Sequence, residues 1–384
     1  MKHKSLLVLL AGIVVVIPQP APACSLCGTN LMNSLTMRQE AGLNSARIIL
    51  YGSVEKSDFT RGTSEVRILQ VLRSDPFLGN AKSVELPRPL PILDPKDPPK
   101  YLIFCDVFKN KLDPYRGVPV KSEEATKYLK GALALDPKDH ARALLYYFDY
   151  LENADKKIAE DAFLEFAKSS DREIGQVAAK LSSAKLRGWL KDPKIEDYRL
   201  GMYAFLLGAC GGAEDAALFR SMLQKPSDNT LKAFDGILGG YIRLKPDDGW
   251  RLALDVLRDP SKDFQVRFAV LRTLRFYYGW KPEDNKVNVL KGLATALPQG
   301  DLADLAIEDL RRWQLWDLTD DVLALYGRKT HDAPLMRRAI IRYALSCPKP
   351  RAAEFVTQRR RDDAEAVRDV EETLQLEKAD AKSK

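Results

Sequence analysis

Histidine is scarce in this chain. There are three in 384 residues, and beyond the first few positions only His140 and His331 remain. Neither has cysteines or carboxylates at zinc-ligand spacing, so a solvated or capping role is the reading for both. Gly-x-Ser-x-Gly, the Walker loop and His-Glu-x-x-His are all missing, which removes the serine hydrolases, P-loop nucleotidases and zincins. The carboxylate pairs Asp320-Asp321 and Asp362-Asp363 read as helix-start or surface charge. No catalytic constellation emerges and no cofactor or metal is implied. The chain reads as a non-enzyme.

Long apolar runs are missing too. Beyond Ala23 no segment approaches the unbroken apolar length that a membrane span requires. Ahead of that point, Lys2 and Lys4 precede an apolar core from Leu6 to Ile17. Pro18 and Pro20 follow it, and then the small-residue site Ala21-Pro22-Ala23. That is the layout of a signal peptide, so residues 1–23 are expected to be removed and the protein exported to the periplasm or outside the cell. The first mature residue would be Cys24, which keeps lipoprotein anchoring open as a rival. A dense basic block is also lacking. The formal net charge of +7 includes the two leader lysines, and a mild balance spread over the whole chain does not indicate nucleic acid.

Cysteines are few and odd in number, at Cys24, Cys27, Cys105, Cys210 and Cys347. An exported chain permits disulfides, yet one thiol must stay free or lipidated. The disulfide expected is between Cys105 and either Cys24 or Cys27, because the lead-in has few apolar residues with which to hold itself down. Cys24-x-x-Cys27 also admits thiol–disulfide chemistry, although no strand precedes it as in redox folds. Cys210 and Cys347 lie in apolar helical stretches and read as inert.

Two regions follow the leader. Residues 24–121 read as a small β domain. Its lead-in includes a short helix over 30–40, and strands are expected at 46–54, 65–72, 84–86 and 101–107. Alternation over 65–72 suits a strand covered on both faces. Six prolines between Pro87 and Pro99 forbid a ladder there. Residues 122–376 read as an α-helical array. Its breakers fall at Asp192-Pro193, Gly211-Gly212, Pro226, Pro246, Pro260, Pro282, Pro298 and Pro348. A last polar helix is expected over 352–376, and residues 377–384 read as a disordered tail. The fold class is therefore α+β, mostly α.

The array is periodic. Val266, Ala269, Val270, Thr273, Leu274 and Phe276 form one apolar arc, so Val266 is expected in the core and Arg272 outside it. Related patterns start at Leu200, Leu231, Leu302 and Met336, which with Val266 make five anchors at nearly even steps. A step of that length, too short for a domain and filled by two helices, marks an α-solenoid. Asp263 with Val266-Arg267 and Ala269, and Asp332 with Met336-Arg337 and Ala339, resemble the second helix of the HEAT-like repeat family over about residues 136–347. The resemblance implies a curved array whose second helices line the concave face. The polar-side residues Arg272, Arg275, Arg338 and Arg342, together with Trp313 and Trp316, then become groove candidates for an acidic or extended protein partner. A solvated face with ordinary ion pairs is the alternative.

The β domain is similar to the netrin-like module shared with tissue inhibitors of metalloproteinases. The likeness is carried by Cys24 after the cleavage site, the strand at 46–54 and Tyr101-Leu102-Ile103-Phe104-Cys105. It implies an OB-type barrel. Those inhibitors begin Cys-x-Cys, whereas this chain reads Cys24-Ser25-Leu26-Cys27, so the second cysteine is displaced. Three functions follow as expectations: an exported binding scaffold, a protease inhibitor working through the Cys24 edge, or a thiol oxidoreductase using Cys24 and Cys27.

Overall fold

The computed structural model describes residues 34–43 and 46–383. The cleavage site, Cys24 and Cys27 lie outside the described residues. A short helix α1 (Met37–Leu43) precedes five strands: β1 (Ile48–Asp58), β2 (Thr63–Arg73), β3 (Ser83–Leu86), β4 (Lys100–Phe108) and β5 (Lys111–Val120). They form one antiparallel sheet in the order β3-β2-β1-β4-β5.

Strand β5 is an addition to the four expected. Pro114 and Pro119 argue against a strand, but β5 is an edge, where a missing N–H breaks no ladder. It leaves β4 through Lys109 and Asn110, both at positive φ, a tight turn whose twist suits a hairpin. The strand covered on both faces is β1 rather than β2. Ile48, Leu50 and Val54 join Val66, Val84, Leu86, Ile103 and Cys105 in one core. Ile49 and Tyr51 join Leu102, Phe104, Val118 and Val120 in a second that runs on into the helices. In β2, by contrast, Arg67, Leu69 and Val71 are exposed.

Helix α1 fills the seam between sheet and helices. Its first N–H, on Met37, donates to buried Asp161 at 2.7 Å, and Tyr128 donates to the other oxygen of that carboxylate at 2.6 Å. Burial pushes the Asp161 carboxyl up to about 7, against the pull of these two bonds.

The helices run α2 (Glu124–Leu133), α3 (His140–Phe148), α4 (Lys156–Lys168), α5 (Asp171–Ala178), α6 (Ser183–Lys191) and α7 (Asp197–Cys210). Then come α8 (Ala213–Gln224), α9 (Asp228–Lys232), α10 (Phe234–Leu244), α11 (Pro246–Arg258), α12 (Phe264–Trp280) and α13 (Pro282–Ala296). The last are α14 (Ala303–Arg312), α15 (Thr319–Leu323), α16 (Pro334–Ser346), α17 (Pro350–Asp362) and α18 (Ala364–Ser383). Each breaker named from sequence falls in a connection or opens a helix. None of the described helices is long and apolar enough to cross a membrane.

Helix α7 packs on α10, α10 on α12, and α14 on α16. The α7–α10 crossing brings backbone onto backbone. A Cβ on Gly236 would sit 1.9 Å from the Gly201 carbonyl oxygen, and one on Gly240 would sit 2.4 Å from that of Ala204. Only glycine permits that approach. One contact departs from neighbour-to-neighbour stacking, for α5 also reaches α12.

The repeat anchors divide. Leu200, Leu302 and Met336 are buried, whereas Leu231 is 38% exposed. Leu231 belongs to α9, and Ala233 separates that short helix from α10, so its phase is not that of Phe234, Ile237 and Leu238. Val266 is only half-buried, while Arg267 beside it is buried. Val266 faces the open cleft at the start of α12, and from Ala269 onward the helix is covered on most sides by α5, α10, α11 and α13. At the C-terminus one expected helix is two, parted at Asp363, and the segment expected to be disordered is helical to Ser383.

Candidate binding groove

Helix α12 carries the site. Its N-cap Asp263 accepts a hydrogen bond from the Gln265 N–H, which starts the helix just before Phe264. Phe264 and Phe268 are one turn apart and stack with centroids 5.8 Å apart and planes 4° from parallel. Phe268, with Val266, Ala269 and Leu231 of α9, floors an open cleft of about 670 Å³, rimmed by Asp228, Lys232, Asp263, Gln265 and Arg272, and Phe264 stands beside it. A smaller hollow of about 170 Å³ continues it past Lys232 and Arg272 to Asp197 and Tyr198 of α7.

The arginines expected to face a partner are held by the chain's own carboxylates. Arg272 lies 2.7 Å from Asp235 of α10. Its guanidinium meets one oxygen by proximity rather than by an aligned hydrogen bond. Arg275 gives its Nε to both oxygens of Asp309 on α14, at 3.0 and 2.8 Å. Burial pushes both carboxyls up to about 6, and the paired arginine is the main opposing influence in each case. Arg272 and Arg275 also sit 6.0 and 5.7 Å from the Phe268 ring, which places positive charge over that face. Arg267 makes a third tie, to Asp301 at 3.0 and 2.6 Å.

Farther along, α18 lies over the other candidates. Arg342 pairs with Glu377 of α18, and Arg338 lies 3.9 Å from Asp369 of the same helix. Arg311 of α14 reaches Glu377 at 3.4 Å. Trp313 stacks on Tyr278 at 4.2 Å, and Trp316 meets Tyr343 edge-on at 5.1 Å, so both indoles serve packing between repeats. The six sequence candidates therefore do not share one open surface. Arg272 borders the cleft and Arg275 lies beside the Phe268 ring, Trp313 and Trp316 pack between helices, Arg342 is paired with α18, and Arg338 stays exposed next to it. The sequence reading missed Asp235, Asp301 and Asp309, although the last two stand one repeat after Arg267 and Arg275. Charges paired at the repeat spacing were the available signal.

Cys105 is a free thiol, fully buried in the sheet's outer core, and its expected partners Cys24 and Cys27 lie outside the described residues. In register it stands opposite Ile48, and burial, then nearby Asp113, pushes it up to about 12. Cys210 and Cys347 are free as well. Buried His331 takes a capping role. Its Nε2 donates to the Leu297 carbonyl at the end of α13, and Nδ1 then accepts from Thr330. His140 stays exposed beside Glu173 at 3.1 Å.

Fold and cleft together define a class: a mostly helical α+β protein, with a small five-stranded N-terminal sheet ahead of many packed helices. No family model, curated protein or solved structure matches the chain.

Proposed function

We propose that this protein is an exported, non-enzymatic binding scaffold, and that its cleft between α9 and α12 takes an extended peptide segment of a protein partner. The partner seats an apolar side chain on the Phe264–Phe268 stack, with its backbone polar groups meeting Lys232, Gln265 and Arg272. Half-buried Phe268 on the cleft floor, stacked on exposed Phe264, carries this reading, because apolar side chains in a concavity with a charged rim are what protein recognition uses. The partner is extended rather than strongly acidic, since Arg272 and Arg275 already have carboxylates.

Two finer assignments support the scaffold reading. Ion pairs that join side chains one repeat apart fit HEAT-like stacking. The strand order β3-β2-β1-β4-β5 is that of a five-stranded OB-type barrel left open between its two edges.

Selection of random displayed peptides on the full chain tests the reading. Enriched peptides should share a large apolar anchor, and their binding should fall at least tenfold in Phe268→Ser with an unchanged melt. Phe59→Ser, on an exposed hairpin, should bind as the parent does. Peptides without a shared anchor, or binding indifferent to Phe268, overturn it.

A further inference from the structure

Among the described residues, each partly or fully buried arginine except one gives its guanidinium to a carboxylate or backbone carbonyl of the chain. The exception is Arg243, next to last in α10. Its one close neighbour of note is Trp280, whose ring centroid lies 4.1 Å from the guanidinium carbon. Burial holds its pKa below the usual guanidinium range. A partly desolvated cation without a counter-charge in the chain is one that an anionic ligand can stabilise.

The surroundings describe what that would be. Arg243 opens onto a hollow of about 150 Å³ between two turns of the same kind, Lys245-Pro246 and Lys281-Pro282, which start α11 and α13. Trp250, Tyr277 and Trp280 form one wall, with neighbouring centroids 5.1 and 5.8 Å apart. The Tyr277 hydroxyl is spent on the Gly239 carbonyl, and the Asn285 amide on the carbonyls of Tyr277 and Lys281. The cations left to meet a ligand are therefore Arg243 and Lys281. Lys281 lies 5.3 Å from the Trp280 centroid, and Asp284, which also lines the hollow, meets it at 3.2 Å, so Arg243 carries the net positive charge there. Because Trp280 covers a face of the guanidinium, the in-plane N–H edge stays open for bidentate pairing.

We propose that Arg243 and Lys281, backed by the three-ring wall, form a binding site for a carboxylate borne on a short apolar or aromatic body. The hollow holds the volume of about five water molecules, enough for the acid group and the first atoms of its stem. The site lies at the far end of α12 from the phenylalanine cleft and does not depend on the function proposed for that cleft.

Tryptophan fluorescence of the full chain reads the site directly, since Trp250 and Trp280 line it. Titration with phenylacetate should give a saturable change, while phenylacetamide, its uncharged counterpart, should give none. Inorganic phosphate should bind at least tenfold more weakly than phenylacetate. Arg243→Gln should weaken phenylacetate at least tenfold, Arg243→Lys less, and Lys281→Gln by about threefold, all with melts matching the parent. Equal response to acid and amide, tighter binding of phosphate, no saturable change, or indifference to both Arg243 variants overturns the proposal. If Arg243→Gln fails to fold, Arg243→Lys and the amide control decide the matter.

Discussion

Two helix–helix contacts in this molecule are built from opposite materials. Where α7 crosses α10, glycines on both sides let the backbones touch, and the surrounding side chains are almost all apolar and buried. Where α18 lies on α14 and α16, Val367 and Val370 are the buried residues among its described side chains, and Asp369 and Glu377 meet exposed Arg338 and part-buried Arg311 and Arg342. The first contact depends on shape and cannot be adjusted. The second depends on charge, which water and salt weaken. The molecule therefore has a rigid middle and a C-terminal helix held by weaker forces.

The largest expected effect comes from breaking the first contact. Gly236→Val places a side chain where the Gly201 carbonyl already stands, and neither backbone can yield without separating α7 from α10. A loss of about 4 kcal/mol or failure to fold is expected, well above the usual cost of overpacking. A urea midpoint close to the parent's would mean that the crossing is not as close as described.

An intermediate effect belongs to the seam between the regions, where a buried carboxylate takes the place of shape. The Asp161 carboxyl is raised to about 7, chiefly by burial. Its stabilising share is therefore complete below about 4 and is lost as pH rises through about 7. Asp235 and Asp309, raised to about 6, and raised Glu165 add to the acid end of this slope, whereas Asp215 and Asp301, lowered by their arginines, act in the opposite direction and only in more acid solution. Between pH 5 and 8 the parent should lose about 2 kcal/mol through this group. Asp161→Asn should flatten that slope, since Tyr128 can turn its hydroxyl to accept instead of donate. Melts that fall equally steeply with pH in both proteins would remove Asp161 as the cause.

The smallest effect is on α18. Glu377→Gln should cost about 1 kcal/mol or less globally, since Glu377 is exposed although its partner Arg342 is only partly so. Amide exchange in the last turns of α18 should nevertheless quicken, and about 0.5 M NaCl should do the same to the parent while leaving α7 and α10 untouched. Exchange in α18 that ignores both salt and the substitution would show that Val367 and Val370 hold it without help.

Much of this was legible in the sequence, for local reasons. The breakers Pro246, Pro282 and Gly211-Gly212 stop or start helices wherever they stand, because a missing N–H or a missing Cβ acts within one turn. Ile49, Ile103 and their neighbours make strands through side-chain shape. The repeat period lies in the order of apolar residues, and that order led to the division into a small sheet and a helical array.

What the sequence did not determine is where each helix turns its faces, because that depends on what arrives beside it. Val266 looks like core until the open cleft beside it is seen, and Arg267 looks exposed until Asp301 of the segment before α14 meets it. Arg272 and Arg275 read as open charges for the same reason, since their partners Asp235 and Asp309 belong to the repeats before and after. β5 needed the knowledge that it would be an edge, where proline costs nothing. Local chemistry sets the elements of this protein. Only the tertiary structure decides which charges are already paired, and so leaves Arg243 without a carboxylate and the Phe264 ring exposed.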